Sequence, residues 1–124
     1  MATTHLELSE IPQRVERNLA AFFEARADAI AAIGEPVAHA VSHLQAFVLG
    51  GGKRVRPTYG WAGFAGAGGL ERGEEDPDAV LRAVSALELI QACALVHDDI
   101  IDASDTRRGN PTVHRALEAE HRDR

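Results

Sequence analysis

After Pro77 the sequence runs "DAVLRAVSALELIQACALVHDDIID" with no glycine or proline, and from Val84 onward it is apolar almost all the way round a helical wheel. Proline is favoured at a first helical position, so one long helix opens at Pro77 and closes on the aspartates near residue 102. A helix apolar on most sides needs neighbours to cover it, which predicts a central helix inside a helical assembly. The flanking sequence supplies those neighbours. Residues 9–32 place Ile11, Val15, Leu19, Phe22 and Phe23 at helical spacing behind a Ser9 cap. "PVAHAVSHLQAFVLG" reads as a second helix, bounded by Gly34 and Pro36 before it and by the glycines at 50–52 after it. "VRPTYGWAGFAGA", from Val55 to about Ala67, is apolar and rich in small residues, as suits a buried helix packed closely on others. "GAGGLERGEEDP" reads as a surface loop, "ASDTRRGNP" as a turn, and the chain closes on an amphipathic stretch from Pro111. No segment alternates as a strand does, so an all-α fold is expected.

The net charge of −6 argues against nonspecific nucleic-acid binding, which needs a broad cationic surface. The single cysteine, Cys93, excludes a disulfide framework and a CxxC metal site, which fits a reducing compartment such as the cytoplasm. The N-terminus lacks the basic start and apolar core of a signal peptide, and no stretch is expected to insert stably in a membrane.

Charge is concentrated at three places. Asp98, Asp99 and Asp102 crowd the end of the long helix, and at 100° per residue Asp98 and Asp102 share one face a turn apart. Carboxylates at a helix C-terminus oppose its dipole. They form either a solvated acidic end or a site for a hard cation such as Mg²⁺, which keeps waters and shares its shell with phosphates. His97 beside them reads as a structural residue rather than a ligand. Arg107 and Arg108 follow in a glycine-containing turn; they either neutralise the aspartates or clamp a polyphosphate with their forked donors. "GGGKRVRPT" at 50–58 puts Lys53, Arg54 and Arg56 between three glycines and a helix start. It is either an anion pocket or a loop that is solvated or paired to acids of the first helix. It is not a P-loop, which needs glycine at 47 and a hydroxyl residue at 54, where Phe47 and Arg54 stand.

"GGGKRVRP", "ELIQACALVHDDIID" and "SDTRRGNPTVH", in this order and spacing, together resemble the trans-isoprenyl diphosphate synthases of the polyprenyl synthetase family. The resemblance implies the N-terminal helices of an isoprenoid-synthase-type helical barrel, a homodimer, and Mg²⁺ held by Asp98 and Asp102 with Asp99 in support. It implies that Arg107 holds an allylic diphosphate, and that Lys53, Arg56, Arg108 and Gln91 hold isopentenyl diphosphate. Gln91 stands where the family often has histidine; its amide also donates to phosphate, and it lies about 20° from Asp98 on the wheel. Arg54 receives no role and is left to face solvent or an acid. The implied reaction is head-to-tail condensation, in which isopentenyl diphosphate attacks the cation left when the allylic diphosphate ionises. Small residues at Cys93 and Ala94, where similar enzymes carry the floor of the product pocket, imply geranylgeranyl or longer products.

The family's second aspartate-rich motif has no counterpart in these residues. Residues 1–124 are therefore expected to be the N-terminal part of one prenyltransferase domain, inactive in isolation. Two other readings stand beside this one: a non-catalytic small subunit or interaction module of a synthase, and an HD-type metal phosphohydrolase built on "VHDD" with His39 and His43.

Overall fold

In the computed structural model, residues 6–123 are described. A 3₁₀ turn over Leu8–Glu10 leads into α1 (Ile11–Ile33), α2 (Glu35–Leu49) and α3 (Val55–Gly66). A single helical turn, α4 (Gly69–Arg72), precedes the long α5 (Pro77–Ile101). A hairpin of β1 (Thr106–Arg107) and β2 (Asn110–Pro111) then leads to α6 (Val113–Arg122). Among the described residues the fold is all-α apart from that hairpin.

α5 is the element around which the rest is arranged, touching α1, α2, α3 and α6. Pro77 opens it, and the Asp76 carboxylate accepts from the Asp78 amide at 3.0 Å, satisfying one orphan donor of the first turn. Ile11, Val15, Leu19 and Phe23, on one stripe of α1, pack with Val48, Trp61, Leu81 and Ala92 to form the core. Close packing of α3 on α5 depends on Gly60, where a Cβ would stand 2.8 Å from Val84 Cγ1. Ser85 is buried and polar, and is satisfied twice: it donates to Leu81 O at 2.7 Å and accepts from Asn18 Nδ2 at 3.4 Å.

Several expectations need correction. Ser9 does not cap α1: it lies within the 3₁₀ turn, where Glu7 N donates to Glu10 Oε2 at 3.2 Å. Phe22 stays exposed beside the buried Phe23, because adjacent helical positions face 100° apart. The glycine-rich loop contains α4, whose Gly69 sits against the Phe64 ring where any Cβ would collide. Two residues per strand are too few to show alternation, so the hairpin left no signal in the sequence. Finally, α5 is long and apolar enough to cross a bilayer, with a mean hydropathy of 1.8 over its most apolar window.

Candidate functional site

The basic island divides inward and outward. Gly51 and Gly52 adopt positive φ after α2 ends, and Arg54 follows in the left-handed region at φ 55° and ψ 39°. That conformation costs a non-glycine residue about 1–2 kcal/mol, so the surroundings must hold it. They do so through the side chain, which is 2% exposed. Nη1 donates to Glu88 Oε2 at 2.8 Å, and Nη2 donates to Val48 O at 2.9 Å and lies 3.4 Å from Glu16 Oε1. Arg54 is thus paired to acids, foremost Glu88 of α5 and at longer range Glu16 of the first helix. Lys53 and Arg56 are exposed and form no ion pair among the described residues.

The far end of α5 is arranged by the hairpin. Arg108 and Gly109, both at positive φ, make a tight turn of the kind that matches strand twist. Arg107 on β1 donates through Nε to Asp99 Oδ2 at 2.8 Å and through Nη2 to Asp99 Oδ1 at 2.7 Å. Those bonds hold the buried Asp99 carboxyl below its ordinary value, against the burial that would raise it, and hold Arg107 above its own. The support expected of Asp99 at a metal therefore differs from its geometry, because both of its oxygens are engaged by one guanidinium. Asp98 and Asp102 are exposed and one turn apart, with no side-chain partner among the described residues. No three histidine, cysteine or acidic side chains among the described residues converge as a metal-holding group. The open pair nevertheless has the hard oxygen donors that suit Mg²⁺, whose remaining positions go to water and phosphate.

The two ends meet. Arg108 Nη1 donates to Gly51 O at 3.1 Å, and its guanidinium lies 5.5 Å from the Phe47 ring centroid. A small cavity of about 20 Å³ between them is lined by Gly51, Arg54, Glu88, Gln91 and Arg108, among others. Gln91 and Arg108 are therefore brought to the glycine loop, while Lys53 and Arg56 sit outside that cavity. A larger groove of about 340 Å³ beside it takes both Arg107 and Arg108 on its wall. Cys93 lines an apolar cavity of about 530 Å³ with Phe22, Phe23, Leu89, Val96 and His97; Ala94 is exposed and does not. His39 and His43 both face Glu120 on α6, at 3.5 and 3.1 Å.

Glu88 has no role by its place in the sequence motifs. Its signal was available: a lone carboxylate in an apolar run requires a partner.

Comparison with known proteins decides the family. The polyprenyl synthetase model matches residues 37–121. The chain belongs to the polyprenyl synthetase family. This polyprenyl synthetase chain is 37% identical over 87 residues to the geranylgeranyl diphosphate synthase of Rhodobacter capsulatus, covering 68% of this chain and 28% of that one. It is 36% identical over 80 residues to a short chain isoprenyl diphosphate synthase of Methanothermobacter thermautotrophicus, covering 64% and 22%. A solved geranylgeranyl pyrophosphate synthase of Corynebacterium glutamicum, complexed with isoprenyl diphosphate and magnesium, superposes with a TM-score of 0.90 at 57% identity. That match covers 95% of this chain and 33% of the other, so the helices above are those of an isoprenoid-synthase fold. The chain spans about a third of that structure and about a fifth of the Methanothermobacter relative. Membership also leaves the phosphohydrolase reading without support.

Proposed function

We propose that the polypeptide carrying these residues condenses isopentenyl diphosphate with an allylic diphosphate, and that this chain supplies much of its diphosphate recognition. The observation that carries the reading is the meeting of Arg108 with Gly51 beside Gln91, on the same helix as the open Asp98–Asp102 pair. An anion at the mouth of that cavity would meet the Gln91 amide and the guanidinium of Arg108, while Lys53 and Arg56 offer exposed cations on the adjoining loop and the first turn of α3.

Arg107 is assigned to the allylic diphosphate. Asp99 occupies Nε and Nη2 and fixes the plane of the guanidinium, so Nη1 is the donor that remains for a phosphate oxygen. Asp99 thus positions Arg107 instead of ligating a metal. Asp98 and Asp102 would hold Mg²⁺, which when bound neutralises charge on the leaving diphosphate. Charge balance sets the rest: Arg107 stabilises the departing diphosphate, the isopentenyl double bond attacks the allylic cation, and the released diphosphate takes the proton.

The apolar cavity beside Cys93 supports a long product of twenty carbons or more. α5 is taken as a core helix of a cytoplasmic enzyme, since Ser85, Glu88 and Asp99 on it bond to polar groups of other elements.

The test is condensation of radiolabelled isopentenyl diphosphate with an allylic primer by a polypeptide containing this chain, with product length and particle mass measured together. Products of twenty or more carbons, made by a homodimer, are expected. Absence of any condensation would refute the proposal, and a farnesyl product would refute the assignment of length.

A further inference from the structure

A two-part diphosphate site needs its parts held at a fixed spacing. Here the glycine loop with Lys53 and Arg56 comes from one element, and Gln91 with Asp98 from another. Resting on the proposed function, we infer that Arg54 is the positioning residue that sets this spacing, acting through Glu88.

Glu88 lies three residues before Gln91 on α5, hence on a neighbouring part of the same face. The 2.8 Å bond from Arg54 Nη1 to Glu88 Oε2 therefore ties the loop to the helix within one turn of Gln91. Both side chains are buried, at 2% and 11% exposed, so the pair is little screened by solvent and rigid in direction. The 2.9 Å bond from Nη2 to Val48 O pins the chain just before its glycines, where three flexible residues would otherwise let the loop wander. On the other side, the Arg54 carbonyl accepts from Thr58 N at 3.1 Å and from Thr58 Oγ1 at 2.7 Å, which fixes the first turn of α3 and with it Arg56. The left-handed backbone lets this side chain enter the core while its charged neighbours stay exposed.

Arg54 also reaches the site directly enough to sense it. Its buried Nε has no hydrogen-bond partner among the described residues, and the residue lines the small cavity shared with Gln91 and Arg108. A bridge whose only task was cohesion would not need its partner to stand one turn from a recognition residue, nor its ends at both sides of the loop.

The test uses the purified polypeptide that carries this chain, titrated calorimetrically with isopentenyl diphosphate and separately with MgCl₂, with far-ultraviolet circular dichroism to follow the fold. Glu88→Gln keeps the acceptor for Nη1 and should bind like the parent. Arg54→Lys keeps charge but loses the fork, and Glu88→Ala loses the anchor. In both, isopentenyl diphosphate affinity should fall about tenfold while helicity and Mg²⁺ affinity hold. Folded Arg54→Lys or Glu88→Ala protein that binds isopentenyl diphosphate as the parent does would overturn the inference. So would loss of fold in both variants, which would make Arg54 a core residue alone. A parent polypeptide that fails to bind isopentenyl diphosphate would instead strike at the proposed function, and this inference would fall with it.

Discussion

The Asp99–Arg107 pair sits between the hairpin and the end of α5, and its electrostatics give it a pH signature. The carboxyl is held below its ordinary value of 3.8, chiefly by the hydrogen bonds from Arg107. A depressed acid stabilises the fold fully above its unfolded value, and that stability is lost as pH falls through the lower folded one. Asp99→Asn should therefore cost about 2 kcal/mol at neutral pH, the scale of a hydrogen bond to a charged group. The gap between variant and parent should close as pH drops below about 4, because the parent then loses the same interaction. Urea unfolding of both proteins at pH 7 and pH 3 measures this, and a gap that stays constant would count against it. The residues at this scale were unevenly legible. The shared face of Asp98 and Asp102 could be read from spacing, because a one-turn separation needs no partner to define it, and both are exposed at the end of α5. Arg54 and Asp99 could not, since their roles depend on partners 34 and 8 residues away and on a left-handed backbone that nothing in "GGGKRVRPT" marks as such.

Among the elements, α3 and α5 meet most intimately, and Gly60 is the reason they can. Alanine at 60 would place its Cβ 2.8 Å from Val84 Cγ1, closer than real Cβ contacts come, so the helices must part or Val84 must turn. Overpacking of this kind costs about 1–3 kcal/mol, offset by about 1 kcal/mol of improved helix propensity. Gly60→Ala should thus destabilise by about 1 kcal/mol net. Combining it with Val84→Ala should give a double variant more stable than the two single losses added together, because the second change makes room for the first. A chemical-denaturation cycle reads the coupling, and strict additivity would show that the contact is not tight. Helix existence was legible from period and from Pro36 and Pro77. The hairpin and α4 were not, because elements of two to four residues are shorter than the periods by which they would be recognised.

At the scale of the whole molecule, the question is what environment α5 occupies. Its length and mean hydropathy of 1.8 satisfy the demands of a membrane span, and Ile90, Ile100 and Ile101 are each more than half exposed. Composition alone cannot separate a span from the centre of a bundle, because both require apolar residues on most sides. Polar bonding separates them. A helix in hydrocarbon would have to carry Glu88 and Ser85 without Arg54 and Asn18, whose bonds come from the glycine loop and α1. Leaving such a carboxylate unpaired in an apolar medium costs several kcal/mol, about as much as a domain of this size can spare. The superposition of 95% of the chain on a solved synthase at a TM-score of 0.90 points the same way, since it accounts for α5 as one packed helix among several. The polypeptide carrying this chain should therefore be released from sedimented membranes by an alkaline carbonate wash, which strips associated proteins and leaves spanning ones. Glu88→Leu, which removes the charge and adds apolar surface, should raise retention if α5 can insert at all. Full retention of the unaltered protein after the wash would mean that α5 crosses the bilayer, and that the bonds of Arg54 and Glu88 are made elsewhere or not at all.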